Sequence, residues 1–275
     1  MKIATLSFEL KKDKMALTGV ERGEIIMDVL KKVNPDLLVC SGYSLDTNAD
    51  LQFLQQGLRK MISRSTILVE VQHDSNIIKN GHPLKNKYPD LTHPGSHNMY
   101  IIKPDGELVN LGPQYFSQGA DLNGKANKFR IHEFDNILEN RIFEINGRKV
   151  LVLCCGEINV IEGRDHILFR SEKIEKSILQ ADIILNPTHD CMANYGTLIA
   201  KRKFLSLRTD NRNALYVNSS NWNSNKSNPN KPEKVTRQNP NNSFMQNLYL
   251  NGVKIAMEKE IGEGKYLLSI VDVDF

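Results

Sequence analysis

The sequence predicts an α/β protein in which a mixed sheet, or two sheets, is covered by helices. In the first third, short β-branched apolar runs alternate with segments of helical periodicity, the pattern left by βαβ units. Further along, apolar runs flank Pro104-Asp105-Gly106, Asn146-Gly147 and Asn251-Gly252. These are turn sequences with defined backbone demands, and they mark antiparallel hairpins.

The elements follow in order. Lys2–Phe8 reads as the first strand. Val20, Ile25, Ile26, Val29, Leu30 and Val33 recur close to helical spacing, and Pro35 stops that helix. Asp36–Cys40 is a short, continuous apolar run, the mark of a buried strand. Leu51, Leu54, Leu58 and Ile62 line one face of a second helix, and Thr66–Val71 is a β-branched buried strand. The hairpins pair Met99–Ile102 with Leu108–Leu111, Arg141–Ile145 with Lys149–Leu153, and Leu248–Leu250 with Val253–Met257. Between the last two hairpins lie a helix running to Gln180 with Ser171 as its N-cap, a strand at Asp182–Leu185, a helix at Leu198–Leu207 and a strand at Ala214–Val217. Tyr266–Val273 is the final strand. No shift in composition divides the chain, so residues 1–275 are expected to form one domain. The stretch from Asn218 to Asn242 is rich in Asn, Ser, Lys and Pro and is expected to be a polar surface loop, spanning 218–243.

Composition narrows the function classes. A hydrophobic share of 40%, a charged share of 25% and a net charge of +4 are ordinary for a globular protein. Basic residues are interleaved with acids, which argues against nucleic acid as a partner. The polar loop carries Lys226, Lys231, Lys234 and Arg237 but only Trp222 for base stacking. Met1–Phe8 is too short an apolar run for a signal peptide, and no stretch approaches a membrane span. Cys40, Cys154, Cys155 and Cys191 show no Cys-x-x-Cys pairing, so a cytoplasmic protein with reduced thiols is expected. His73, His82, His93 and His97 are scattered without helical metal-ligand spacing. No metal and no other cofactor is expected.

Chemistry concentrates at Lys149–Glu157. A strand-forming apolar run ends in Cys154-Cys155-Gly156-Glu157, a rigid platform followed by a turn that can project a thiol. Buried cysteines are also common as small core residues.

The Cys155-Gly156-Glu157 run resembles the nucleophile motif of the nitrilase superfamily, the carbon–nitrogen hydrolases. Ala181–Thr188, with Asn186-Pro187 near its end, is similar to a later strand of that family, and Arg212–Ser219 to the helix-to-strand segment after it. The Pro104–Glu107 hairpin and the closing Asn251–Asp272 segment fit in the same order. The resemblance implies a four-layer α-β-β-α sandwich, a homo-oligomer, and a small-molecule amide or nitrile as substrate. It also implies a cysteine nucleophile, a glutamate that moves protons and a lysine that holds the oxyanion. The chain departs from that set. Gly42 stands where the glutamate is expected and Gln114 where the lysine is expected; no acid lies between Leu37 and Tyr43, and no lysine between Glu107 and Gly124.

Cys155 is therefore the expected nucleophile, with Glu157 in a supporting place, orienting backbone or pairing with an arginine. Glu70 interrupts the apolar strand at Leu68-Val69-Glu70-Val71. It is read first as a strand-end carboxylate facing water and second as a displaced general base. His189, just past the Asn186-Pro187 strand, is a candidate substrate-binding residue, or a base for the thiol. Lys125 and Lys128 are loop cations within reach of a site. Two functions follow: a thiol-dependent, amidase-like hydrolase of carbon–nitrogen bonds, or a lapsed pseudoenzyme of the same fold that binds or interacts.

Overall fold

A computed structural model of the chain describes residues 1–11, 14–61, 63–83, 87, 95–117, 119–122, 127–189, 195–208, 210, 212–223, 245–262 and 265–274. Two sheets stack face to face, with helices outside both. In the first sheet β1 (Lys2–Lys11), β2 (Leu37–Cys40) and β3 (Thr66–His73) run parallel. β4 (Asn98–Ile102) and β5 (Leu108–Pro113) extend it antiparallel from β3. In the second sheet β7 (Arg148–Val152), β8 (Ile183–Thr188) and β9 (Leu215–Ser220) are the parallel centre. β6 (Ile142–Ile145) and β10 (Gln246–Leu250) flank it antiparallel. Two further strands, β12 (Glu258–Gly262) and β13 (Tyr266–Asp272), return to the open side of β1, after β11 (Val253–Ile255) has paired with β10.

Period-two alternation builds the layers. Leu37, Val39, Leu68, Val150, Val152, Ile183, Leu185 and Val217 point between the sheets. Their neighbours Leu38, Cys40, Ile67 and Val69 point outward to α1 (Gly19–Val33) and α2 (Asn48–Arg59). On the far side, Leu151, Leu153, Ile184 and Tyr216 meet α4 (Asn127–Ile137), α5 (Glu172–Gln180) and α6 (Tyr195–Leu205), while the short α3 (Ser75–Asn80) follows β3. The α-β-β-α order that the resemblance implies is thus present. Both faces of each central strand are buried, which is why these strands read as continuous apolar runs.

Local signals land where their chemistry requires. Ser171 caps α5, its hydroxyl accepting from Ile174 N at 3.1 Å. Asn146 and Gly147 take φ of 50° and 73°, the left-handed pair that a two-residue hairpin turn demands. Among the described residues, no helix is long and apolar enough to cross a membrane.

The expected loop from Asn218 begins differently. Asn218, Ser219 and Ser220 complete β9 and are fully buried, and Asn221 and Trp222 follow them into the interior. Polarity does not expel them because each polar group finds a partner. Asn218 Nδ2 donates to Asn186 O at 2.8 Å, the Ser219 and Ser7 hydroxyls meet at 3.0 Å across the two sheets, and Asn221 Nδ2 donates to Gly42 O at 2.7 Å. Residues 224–243 lie outside the described residues.

Candidate functional site

The C-terminal ends of the parallel strands in both sheets face one another, and the chemistry-bearing residues gather there. Leu153 N still holds Leu185 O at 2.9 Å, continuing the ladder one residue past β7. Cys154 faces between the sheets, fully buried. Cys155 is partly exposed and sits at φ 41°, a left-handed conformation that costs energy in a residue with a Cβ. Asn186 Nδ2 helps hold it there, donating to the carbonyls of Leu153 and, at 3.3 Å, Cys155, while Tyr216 Oη fixes the Asn186 amide from behind at 2.8 Å. Asn186 of the strand-end Asn-Pro pair thus braces the cysteine turn. The next residue has to be glycine: a Cβ at 156 would lie 2.2 Å from Ser117 O.

Glu157 anchors this turn from below. Its carboxylate accepts from Tyr115 N at 2.7 Å and Cys154 N at 2.8 Å, and pairs with Arg141 Nη2 at 2.9 Å. Both side chains of that ion pair are 0% exposed. Burial pushes the Glu157 carboxyl up, against the pull of Arg141 and the two N–H donors. Arg141 also donates to Pro113 O at 2.6 Å, tying the turn to the end of β5. Glu157 therefore holds backbone and is engaged on both oxygens.

Glu70 corrects the preferred solvent-facing reading. It is 1% exposed, because β3 has strands on both sides and Glu70 shares the inward face with Leu68. Its carboxylate accepts from Tyr43 N at 2.7 Å and meets His189 Nε2 at 2.6 Å, and Cys154 Sγ lies 3.5 Å from its other oxygen. The Cys155 sulfur lies near enough to the same His189 ring to raise its proton affinity. Tyr43 stacks on that ring at 4.0 Å and 17°, and His97 packs edge-on at 4.8 Å. Gly42 makes room for it all. A Cβ there would lie 2.2 Å from His189 Cδ2, so the ring fills space that any side chain at position 42 would contest.

Charge is arranged to match. Burial pushes the Glu70 carboxyl up, but the His189 and His97 imidazoles and the hydrogen bonds from His189 and Tyr43 bring it down to about 2. Burial disfavours the His189 imidazolium, yet Glu70 and Cys155 outweigh it and hold the ring well above the usual histidine range. His97, buried with less compensation, is lowered to about 4 and is neutral at pH 7. Cys154 is pushed well up by burial and then by Glu70 and Glu157. An imidazole paired with a carboxylate and near a thiol is equipped to hold the thiol proton and pass it on. In a Cys191→Ser background, iodoacetamide is expected to modify Cys155 and leave Cys154 and Cys40 untouched, as peptide mass mapping would read; modification of Cys154 first would contradict this geometry.

No family sequence model matches the chain, and no curated protein does so at a significant level. Solved structures do match in three dimensions. The NitN amidase of Nesterenkonia sp. AN1 superimposes with a TM-score of 0.52 at 11% identity, covering 100% of this chain and 93% of that one. A glutamate-to-glutamine mutant of that amidase, carrying acrylamide added at its active site cysteine, gives 0.53 at 11% identity over 100% and 93%. A cysteine-to-alanine mutant, described as a nitrilase-superfamily amidase, gives 0.53 at 10% identity over 98% and 90%. The fold is that of the nitrilase superfamily.

Within the nitrilase fold, the two departures noted in sequence acquire a physical content. At Gly42 the missing side chain leaves room for the His189 ring. At Gln114 the amide is engaged at both ends, Oε1 with His97 Nε2 at 3.1 Å and Nε2 with Phe116 O at 2.5 Å. The structure thus brings together Cys155, Glu70 and His189, keeps Glu157 beneath them, and adds Tyr43, which sequence reasoning passed over, His97, which it set aside as a scattered histidine, and Gln114, which it named only as standing in the lysine's place. His82 is buried against Gln114 O at 2.8 Å, whereas His73 and Lys128 are exposed. Lys125, His93 and Cys191 lie outside the described residues. No metal was expected, yet Glu70, His97 and His189 offer ligand atoms all within 4.8 Å of one another. Helical spacing was the wrong signal to seek, because these three come from β3, the residue before β4 and the residue after β8.

The space at position 42 carries a test. Gly42→Ala is expected to displace His189 and cut any hydrolysis about 10²-fold, the usual cost of moving a reacting group by an ångström. Circular dichroism should stay unchanged; full activity in this variant would show that the ring position does not matter.

Proposed function

We propose that the protein is a thiol-dependent hydrolase of small amides, in which His189 backed by Glu70 replaces the directly acting glutamate of the nitrilase pattern. One observation carries this reading: the His189 imidazole meets the Glu70 carboxylate at 2.6 Å, in the space left by Gly42, with the Cys155 thiol near the ring. The thiol proton rests on His189, and the Cys155 sulfur attacks the amide carbon. The imidazolium, held by Glu70, returns the proton to the departing nitrogen as the C–N bond breaks, leaving a thioester on Cys155. His189 then takes a proton from water, and the hydroxide attacks the thioester to release the acid and the thiol. The Cys-His-carboxylate logic recurs on unrelated folds.

Gln114 supports a second reading, a lapsed pseudoenzyme acting as a binding protein. A lysine at that place would stabilise an oxyanion, and the loss of one such group costs about 10²–10³ in rate. With both ends of its amide engaged, Gln114 supplies no replacement. The two readings part on a panel of short aliphatic and aryl amides assayed with parent and Cys155→Ala protein. Ammonia or amine release by the parent alone supports the hydrolase; equal release by both, or none with either, supports the lapsed reading. Amide substrates, cytoplasmic location and a homo-oligomer remain part of the proposal.

A further inference from the structure

The cluster around His189 has a composition that proton transfer does not require. A relay needs one imidazole and one carboxylate, yet a second imidazole, His97, is buried beside them. Two histidines and one glutamate are the protein ligands of one established class of zinc site, which leaves the fourth position open. Their ligand atoms all lie within 4.8 Å of one another. Donors sharing one tetrahedral zinc, with bonds of about 2.0–2.1 Å, sit about 3.3 Å apart, so binding requires the ligand atoms to draw together by about an ångström. Glu70 and His97 are 1% and 5% exposed, and the His189 side chain is 14% exposed.

The surroundings match those of a metal site. Ligands are normally oriented by hydrogen bonds from behind. Here Tyr43 N holds Glu70 at 2.7 Å, and Gln114 Oε1 holds the His97 ring at 3.1 Å. The Cys155 sulfur, near His189, adds a soft donor beside the cluster. Thiolate and imidazole select zinc-like ions over magnesium or calcium.

We propose that Glu70, His97 and His189 form a transition-metal site, and that Zn²⁺ bound there switches off Cys155. The binding half stands on the cluster alone; the switching half rests on the thiol reading given above. A metal on His189 and Glu70 occupies the lone pairs that would receive and steady the thiol proton, so Cys155 loses its base while the ion is present.

The test uses the full chain stripped with EDTA. Titration with Co²⁺ is expected to give one ion per chain with the visible bands of a four-coordinate site, displaced by Zn²⁺. Zn²⁺ should raise the melting temperature of the parent. It should also protect Cys155 from iodoacetamide and stop any amide hydrolysis, both reversed by EDTA. His97→Ala and His97→Gln, checked by circular dichroism for a retained fold, are expected to weaken Co²⁺ binding by more than the roughly 10–100-fold typical of losing an outer contact. No binding by the parent, or undiminished binding by both His97 variants, would overturn the site. Binding without protection of Cys155, or hydrolysis that requires Zn²⁺, would overturn the switch. Protection is read on the thiol itself, so it decides the switch even if no amide proves to be a substrate.

Discussion

Replacing His189 with alanine is expected to lower amide hydrolysis by about 10²–10⁴-fold, the usual contribution of a positioned general base. The ring makes the 2.6 Å contact with Glu70 and lies near Cys155, so its loss leaves the thiol without a proton carrier. Glu70→Gln should produce a smaller fall, because the amide keeps a hydrogen-bonding shape but cannot balance an imidazolium. The loss should appear chiefly in kcat, since substrate contacts are untouched. The double variant should be little worse than His189→Ala alone, as for residues that act as one unit. Independent, multiplying losses would mean that Glu70 and His189 serve separate purposes.

Replacing Glu157 with alanine is expected to destabilise the fold by about 3–5 kcal/mol, the cost of leaving a buried charge unpaired. Arg141 and Glu157 are both 0% exposed, so the stranded guanidinium has no route to water. Two backbone donors, Tyr115 N and Cys154 N, lose their acceptor at the same time. The midpoint of urea unfolding reads the effect directly. A change below about 1 kcal/mol would mean that water replaces the carboxylate and that the pair is not sealed. Replacing both partners with apolar residues should recover much of the loss, because no charge then stays buried.

The parts legible in sequence were those decided by neighbours along the chain. The Asn146-Gly147 turn, the Ser171 cap and the strand ending at Cys155-Gly156-Glu157 each follow from local backbone demands. The four-layer order came from resemblance, and the layers are present in the structure. What could not be read was set by packing one sheet on the other. Glu70 and His189 are 119 residues apart, and only the register of both sheets brings them together. A partial signal was available, because alternation places Glu70 on the same face as Leu68, toward the second sheet, where a carboxylate must find a partner. His97 gave no such sign, standing just ahead of its strand among other loop histidines. Asn218–Ser220 misled for the opposite reason: their polarity suggested solvent, whereas partners across the sheets make them part of the interior.

The most direct measurement is rapid-quench mass spectrometry of the parent with an activated aryl amide, followed by peptide mapping of the acylated residue. The expected result is an acyl group on Cys155, formed about 10²–10⁴-fold more slowly in His189→Ala and absent from Cys154. Acylation that is equally fast without His189, or that falls on another residue, would contradict the Cys155–His189–Glu70 relay.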